Sequence, residues 1–494
     1  MDVYSDTGAG TDPATDYQYL RSDAERQSAA AQTVSQDYDQ AFPQPSPPQQ
    51  TESQNGSHDG NAIDGSRIPF DDPSESPHLA WLPSELLNEI LSYLTARDLA
   101  HVSTTCRTLA AHASNDMLWA SLVNAQLSIP LADPGPFGSF RELFIAHHPY
   151  WFIPRHKVWI SDTEHTGNLI LARYDYRRGV IEAYRVIAER PVPQSEVWDW
   201  NPEVVVLTFD PKVRLWLDDP VILLKNNKLN GKPTRYYLHG EIRMPMEIES
   251  QHVYNAISLC PREYPSDLEH ARPDKQWPPP AIPSSTRVYR EVERHWSEWN
   301  ERPRSIAQVS EAAFRIRRWA HFGVGMYLFT AGTSEALSTY ATLDSSLYTP
   351  TKQKPYQGIW VGDYLAHGCE FILFLQRDGN NAHNNNDSPS MNRGSLEGIK
   401  LTGDPNVPRG EVSFIADDIG DDGLVRIAGA DEAPFQGSRI VRSRGHVAGL
   451  GFQDDVFISS QLILISTNCI AHYWESMGHV TYFRRVDIDA LLNT

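Results

Sequence analysis

His367 and Glu370 fall in one late run of the chain, and His446, His472 and His479 in another. Imidazole and carboxylate are the usual ligands of zinc, so a metal site is the first chemistry these residues suggest. Their spacing argues against it. None forms the i, i+4 histidine pair of a helical zinc protease, and all sit on strand-like runs whose alternate residues face opposite sides. Nucleotide and nucleophilic chemistry fare no better. Gly358, Gly362 and Gly368 do not form a G-x-G-x-x-G phosphate loop, and no G-x-S-x-G elbow occurs. Cys106, Cys260, Cys369 and Cys469 lie far apart, with no C-x-x-C pair and no nearby His/Asn constellation. They read as free thiols of a reducing compartment. The expectation is a chain with no catalytic residues, no metal and no cofactor.

The same runs do carry recognition chemistry. Tyr364, Tyr473, Trp474 and Tyr482 offer amphipathic aromatic surface. Gly362, Gly368, Gly445, Gly449 and Gly478 allow the close backbone approach that suits an extended peptide. Arg442, Arg444, Arg484 and Arg485 could hold an acidic or carboxylate-bearing tail. A binding site is therefore expected at a rim made by the 364–368 turn and the 474–479 connection, with Tyr364, His367, Arg444, Trp474 and Arg484 as its candidate residues. The run GDPNVPRG at 403–410 has the Asp-Pro and Gly of a rigid connection at the barrel rim, where a loop can also carry recognition.

The elements that must hold such a rim are strands. From residue 156 the runs HKVWIS, NLILARY and VIEAYRVI are rich in β-branched and aromatic residues, with Arg177-Arg178-Gly179 as a hairpin connection. Further strand runs follow at 203–209, 213–217 and 221–224. A Pro-rich loop is expected at 261–287, a helical insertion at 288–321 and an Asn-rich loop at 379–395. In that helix Arg315, Arg317, Arg318 and His321 would form a solvated basic ridge. Strands resume at 358. Two flank Leu365–Gly368, and SQLILIS and CIAHYW form a tight hairpin around Thr467-Asn468. The pattern predicts an α+β chain with a large antiparallel β-barrel or sandwich domain over 156–490.

The chain has 494 residues and a net charge of -20. That excludes nucleic acid and anionic membrane as general partners, since both need positive surface. No run approaches a membrane span, and Met1 opens no basic-then-apolar leader. The expected location is cytoplasmic or nuclear. Residues 1–77 hold 14 acidic residues against 3 arginines and no lysine, and are rich in Ser, Gln and Pro. Such a segment cannot bury enough apolar surface to order itself and reads as a disordered tail.

Between tail and strands lies a compact helical stretch at 79–122. Leu82-Pro83 opens it. Leu86, Ile90 and Leu94 recur at helical spacing, with Leu87 and Leu91 beside them. Asp98 is the expected N-cap of a second helix buried through Leu99, Val102 and Cys106. A third run begins near Thr108, and Leu118-Trp119 closes the unit. An amphipathic bridge at 126–155, with RELFIAH at its centre, should pack on these helices.

The order Leu82-Pro83, Glu85, Leu86-Leu87, Ile90-Leu91, Leu94, Asp98-Leu99, Cys106-Arg107, Leu109 and Leu118-Trp119 resembles the three-helix F-box, here over 78–125. The resemblance implies docking to the adaptor of a cullin-based ubiquitin ligase, through Leu82, Pro83, Leu86, Leu87, Ile90, Leu91, Leu94 and Leu99. The runs GxWVGDYxxHGxE, KLTGDPNVPRG and RGHVAGLGF, with SQLILIS–IAHYWESMGHVTYFRRVDID, resemble the C-terminal half of the thirty-one type of F-box-only protein and its fungal relatives. That family places one β-barrel-like domain after the F-box, and its animal members capture extended C-terminal tails of substrates such as D-type cyclins. The implied function is that of a non-catalytic substrate-recognition subunit of an SCF-type ligase, with the adaptor, the cullin scaffold and a protein substrate as partners. The alternative is a barrel that binds or processes a small molecule, with the F-box controlling its own turnover.

Overall fold

The computed structural model describes residues 79–225, 238, 240–244, 253–262, 273–290, 302–320, 337–378 and 392–493. The acidic tail and most of the Asn-rich loop lie outside these residues. Among the described residues no helix is long and apolar enough to cross a membrane.

After a single 3-10 turn at Leu79–Trp81 come α1 (Ser84–Ser92), α2 (Ala96–Val102), α3 (Arg107–Ala113) and α4 (Asp116–Asn124). Each short helix needs its orphan N–H groups met. Thr95, not Asp98, caps α2: its Oγ1 accepts from the Asp98 N–H, and Asp98 lies three residues inside the helix. Cys106 caps α3 through its sulfur and is exposed, so it is not part of a buried face. Asn115 caps α4. The bridge is α5 (Phe140–His147) and α6 (Phe152–His156). Three indoles pin the helical part together. Trp119 donates to the Ala113 carbonyl, Trp151 to Phe144 and Trp159 to Ile153.

The regular structure in the rest of the described chain is nearly all strand. The first half holds β1 (Val158–Ser161), β2 (Leu169–Asp175), β3 (Val180–Glu189), β4 (Ser195–Glu196) and β5 (Val205–Leu207). It continues with β6 (Lys212–Leu215), β7 (Ile222–Leu224), β8 (Ile242–Arg243), β9 (Val253–Pro261), β10 (Gln276–Trp277) and β11 (Val288–Tyr289). The strands β12 (Val309–Ala320) and β13 (Leu337–Thr342) complete it. Nine of these form a strongly curved sheet in the order β6-β3-β2-β1-β13-β12-β9-β8, with β7 also on β3. Asn255 on β9 donates to the Pro220 and Val221 carbonyls beside β7, drawing the sheet's two ends together.

Among the described residues of 288–321, which leave out 291–301, there is no α-helix: they hold β11, a single 3-10 turn at Ile306–Gln308 and the twelve-residue β12, which pairs with both β9 and β13. Arg315 is 2% exposed, so the basic ridge is a strand with one arginine turned into the protein. His321 lies outside the described residues. The Pro-rich loop also carries some order: Trp277 is buried and β10 pairs with β11.

The second half begins with α7 (Ser345–Tyr348) and then β14 (Gly358–Asp363), β15 (Cys369–Gln376), β16 (Leu396–Lys400), β17 (Val412–Ala416) and β18 (Leu424–Ile427). It ends with β19 (Arg439–Gly449), β20 (Gln453–Ser466), β21 (Cys469–Trp474), β22 (His479–Arg485) and α8 (Ile488–Leu492). Eight of these strands close on themselves. β14 pairs with β15 on one side and with β22 on the other, the latter at Trp360↔Arg485 and Gly362↔Phe483. Closure leaves no sheet edge in the ring, and alternate residues fill its interior. Among the described residues every pairing is antiparallel except β5 on β22.

Both faces of several strands are covered, which is why they read as unbroken apolar runs. On β1, Val158 and Ile160 join a core shared with the outer face of the closed barrel, including Ile359, Val361 and Phe371. Trp159 turns the other way, into a core shared with α1 to α6. Helices, curved sheet and barrel are thus fused through two continuous cores.

Candidate functional site

The barrel interior changes character along its axis. Trp360, Phe374, Leu396, Phe414, Ile470 and Phe483 fill one end. The same alternation then brings Glu370 inward on β15, Lys400 on β16, and His472 and Trp474 on β21. Lys400 Nζ lies 2.8 Å from Glu370 Oε2 and 2.7 Å from Asp404 Oδ2. It also sits 4.5 Å from the centre of the Tyr364 ring, whose hydroxyl is 2.6 Å from Ser413 Oγ.

This cluster is close to electrically neutral. Burial pushes the Glu370 carboxyl up to about 8, against the pull of Lys400. Burial acts on Asp404 too, but hydrogen bonds from Glu370, Lys400 and the Val407 N–H hold it down at about 2. The pair therefore keeps one proton, on Glu370, while Asp404 balances the ammonium. Asp404 Oδ1 also accepts from the Asn406 and Val407 N–H groups, which shapes the 403–410 turn.

Above this floor a cavity of about 370 Å³ opens at the barrel mouth. Tyr364, Leu365, His367, Trp474, Met477 and His479 are among its lining residues, with Val447 and Ala448 from the β19–β20 hairpin opposite. Asn406 donates to the Ala448 carbonyl and Gly451 N–H to Pro405, tying the hairpin tip to the 403–410 turn. Gly445 is required beneath Trp474: a Cβ there would stand 2.3 Å from the indole.

Three of the five residues expected at the site, Tyr364, His367 and Trp474, line this one cavity. Arg444 and Arg484 do not. Arg444 pairs with Asp417 at 3.1 Å on an exposed face, and Arg484 Nε donates to the Phe209 carbonyl. Arg442 and Arg485 also bond backbone carbonyls. The expected arginine fork for a carboxylate is thus corrected: these side chains hold the fold, and the cation at the cavity, Lys400, already lies between two carboxylates. Tyr473 and Tyr482 are buried on the barrel's outer side, not at its rim. Lys400 was missed, Glu370 was weighed only as a metal ligand and Asp404 only as a turn residue, so their ionic cluster was not foreseen. The signal for Lys400 was a lysine inside the apolar run GIKL, which reads as solvent-facing when taken alone.

At the helical end, Leu82, Leu86 and Ile90 face outward, joined by Trp81 and Tyr93, and Pro83 is exposed at the start of α1. Leu87, Leu91 and Leu99 are buried; Leu91 and Leu99 belong to the core under the helices, and Leu94 is half-buried against it. Those buried three are therefore core residues and not available anchors; a helix with leucines on both sides covers its own domain with one stripe and leaves the other free.

Among the described residues, no group of three His, Cys, Asp or Glu could hold a metal ion. A second cleft, of about 460 Å³, lies where α6 meets β12, but its Arg155 and Glu311 already pair with each other.

Fold and site together define a protein of modular type: a small helical head with an exposed aliphatic stripe, and a closed barrel whose open mouth is largely apolar above a charged floor. Comparison with known proteins names both modules. Residues 79–125 match the F-box-like family, and residues 340–490 match the Cyclin D1 binding domain. The chain is also similar to Protein EXECUTER 2, chloroplastic, of Arabidopsis thaliana, at 25% identity over 176 residues, 35% of this chain and 27% of that one. The protein of the same name from Oryza sativa subsp. japonica is 27% identical over 112 residues, 23% of this chain and 17% of that one. The chain thus matches only about a quarter or less of these relatives' length.

Proposed function

We propose that this protein is the substrate-recognition subunit of an SCF-type ubiquitin ligase. The F-box-like helices bind the ligase's adaptor, and the barrel mouth holds the protein to be ubiquitinated. The observation that carries this reading is the fusion of the two ends. The stripe of Leu82, Leu86 and Ile90 and the 370 Å³ cavity belong to one continuous packed body. A receptor that works by holding a lysine near a charged enzyme needs a fixed distance between its two ends, because proximity is its contribution to rate.

The cavity's chemistry suits the tip of an extended chain. Its mouth is open, with Leu365, Ala366, His367 and Met477 exposed around it. Leu365, Met477 and Trp474 supply apolar surface, and the Lys400–Asp404–Glu370 floor offers no unbalanced charge. An uncharged tip with hydrogen-bonding capacity fits better than a free carboxylate. The match to the Cyclin D1 binding domain supports a protein ligand, with the tail of a D-type cyclin as the first to try.

A second reading, small-molecule binding or chemistry in the barrel, draws on the displaced proton affinities of Glu370 and Asp404. Against it, Lys400 occupies the position between the two carboxylates that a substrate would need.

The test is affinity purification from proteasome-inhibited cells, with the unaltered chain compared with a variant carrying Leu86→Ala and Ile90→Ala on the exposed stripe. The expected result is that adaptor and cullin disappear from the variant while a common set of other proteins remains. Loss of both sets together, or retention of the adaptor, contradicts the proposal.

A further inference from the structure

His472 stands in the middle of the barrel, fully buried, and neither ring nitrogen has a hydrogen-bond partner. Buried polar groups in folded proteins are nearly always satisfied, so this imidazole calls for an explanation. Burial lowers its basicity far below the ordinary histidine range, to about 3, so it is neutral at any physiological pH. A neutral imidazole presents one N–H and one lone pair. The two nitrogens diverge, so a group entering from one side meets one of them, and an uncharged hydroxyl suits either, donating to the lone pair or accepting from the N–H.

What separates His472 from the cavity is Trp474. The two rings lie 4.2 Å apart, and Trp474 lines the cavity although it is only 4% exposed. The indole rests on the bare backbone of Gly445, with the His479 ring nearly parallel to it at 6.1 Å. Its polar tie is one neutral hydrogen bond, Nε1–H to Thr481 Oγ1 at 3.1 Å. The place it fills is therefore a flat slot walled by rings, open to the cavity on one side and to His472 on the other.

We propose that the Trp474 slot and His472 form an inner subsite for a phenol: a tyrosine-type ring takes the place of the indole on Gly445, and its hydroxyl bonds to His472. A phenol is planar, uncharged, and both donor and acceptor, which meets the slot and the imidazole together. A plain aromatic ring fills the slot and leaves His472 unmet. A carboxamide meets His472 and leaves the ring walls underfilled. The assignment rests on reading the barrel mouth as the place where substrate enters, and names His472 as the residue that selects what goes deepest.

The test uses the full chain, without adaptor, ubiquitin or protein substrate, and p-cresol as the probe, with toluene and benzamide as controls. Trp474→Ala opens the slot. This variant should bind p-cresol at least tenfold more tightly than the unaltered chain does, and roughly fivefold more tightly than it binds either control, the value of one neutral hydrogen bond. His472→Leu in the same background should bring p-cresol down to the level of toluene. Equal binding of p-cresol and toluene, a stronger benzamide, or indifference to His472→Leu overturns the proposal. Should Trp474→Ala not fold, the chain can be labelled with 5-fluorotryptophan and its Trp474 signal assigned with Trp474→Phe. Then p-cresol should shift that signal, and fail to do so in His472→Leu; an unmoved signal overturns the proposal equally. Failure here leaves adaptor binding and substrate capture standing, and their failure leaves this measurement unaffected.

Discussion

Leu86 and Leu87 are neighbours on α1 and point in opposite directions: Leu87 is 1% exposed and Leu86 52%. A helix turns about 100° per residue, so two adjacent leucines flank the line between a buried and a free face. Leu87, with Leu91, roots the helix in the core, and Leu86, with Leu82 and Ile90, is what a partner meets.

That division separates two phenotypes. Leu86→Ala with Ile90→Ala should abolish co-purification of adaptor and cullin and change unfolding free energy by under about 1 kcal/mol, as is usual for surface positions. Leu87→Ala should cost about 2–5 kcal/mol by leaving a cavity in the core. Denaturant unfolding and co-purification check the two separately. If Leu86→Ala and Ile90→Ala together destabilise the fold, the outward face is not free.

The Glu370 proton gives a dependence on alkaline pH. In the unfolded chain this carboxyl ionises near its ordinary value of 4.5, but in the folded barrel it keeps its proton up to about 8. Between those values the folded state holds more protons, so stability falls as pH rises from about 5 to 8. Glu370→Gln keeps the shape and removes the titration. Unfolding measured at pH 5 and pH 8 should show the unaltered chain losing stability relative to the variant as pH rises; parallel curves would mean the proton is not there.

His147 acts in the opposite direction. It is buried on α5 with Nε2–H donating to the Gly179 carbonyl at 3.1 Å, and burial lowers its basicity to about 4. The unfolded chain takes up a proton near 6.5 and the folded one does not until about 4, so stability is lost as pH falls through that window. The loss should be roughly 2–3 kcal/mol between pH 7.5 and 4.5. His147→Gln, which keeps a donor, should flatten this slope; calorimetry across the range would show it, and an unchanged slope would place the acid sensitivity elsewhere.

The helical head and most strands were legible because their signals are local. Leu82-Pro83 and the i, i+4 leucines act within one or two turns, and the Gly179 and Thr467-Asn468 hairpins are set by their own turn residues, whereas the cap read at Asp98 falls three residues early, at Thr95. Barrel closure was not legible, since β14 meets β22 across more than a hundred residues of chain and no local pattern encodes which strands meet. The strand β12 was misread for a related reason. Its Glu-Ala-Ala and arginines favour helix locally, yet pairing with β9 and β13 overrides that preference. At the site, turn-borne aromatics could be placed, whereas Glu370, Lys400 and Asp404 become a unit only when three separate segments meet inside the barrel.

The barrel mouth and the arginines make competing claims on substrate capture, and one set of variants decides between them. Leu365 and Met477 are exposed on the cavity's lip, so Leu365→Asp with Met477→Asp adds charge where an apolar or neutral tip must pass and removes nothing from the core. Capture should fall by at least tenfold, with adaptor binding and the circular dichroism spectrum unchanged, because charge at a desolvated contact costs more than the apolar contact it replaces. Arg444→Ala breaks an exposed pair with Asp417 and should leave capture within about twofold, since such pairs contribute little. Quantitative pull-down of the same retained proteins with each variant provides the measurement. The reverse pattern, with capture lost in Arg444→Ala and kept in the double aspartate, would move the binding surface from the barrel mouth to its outer wall.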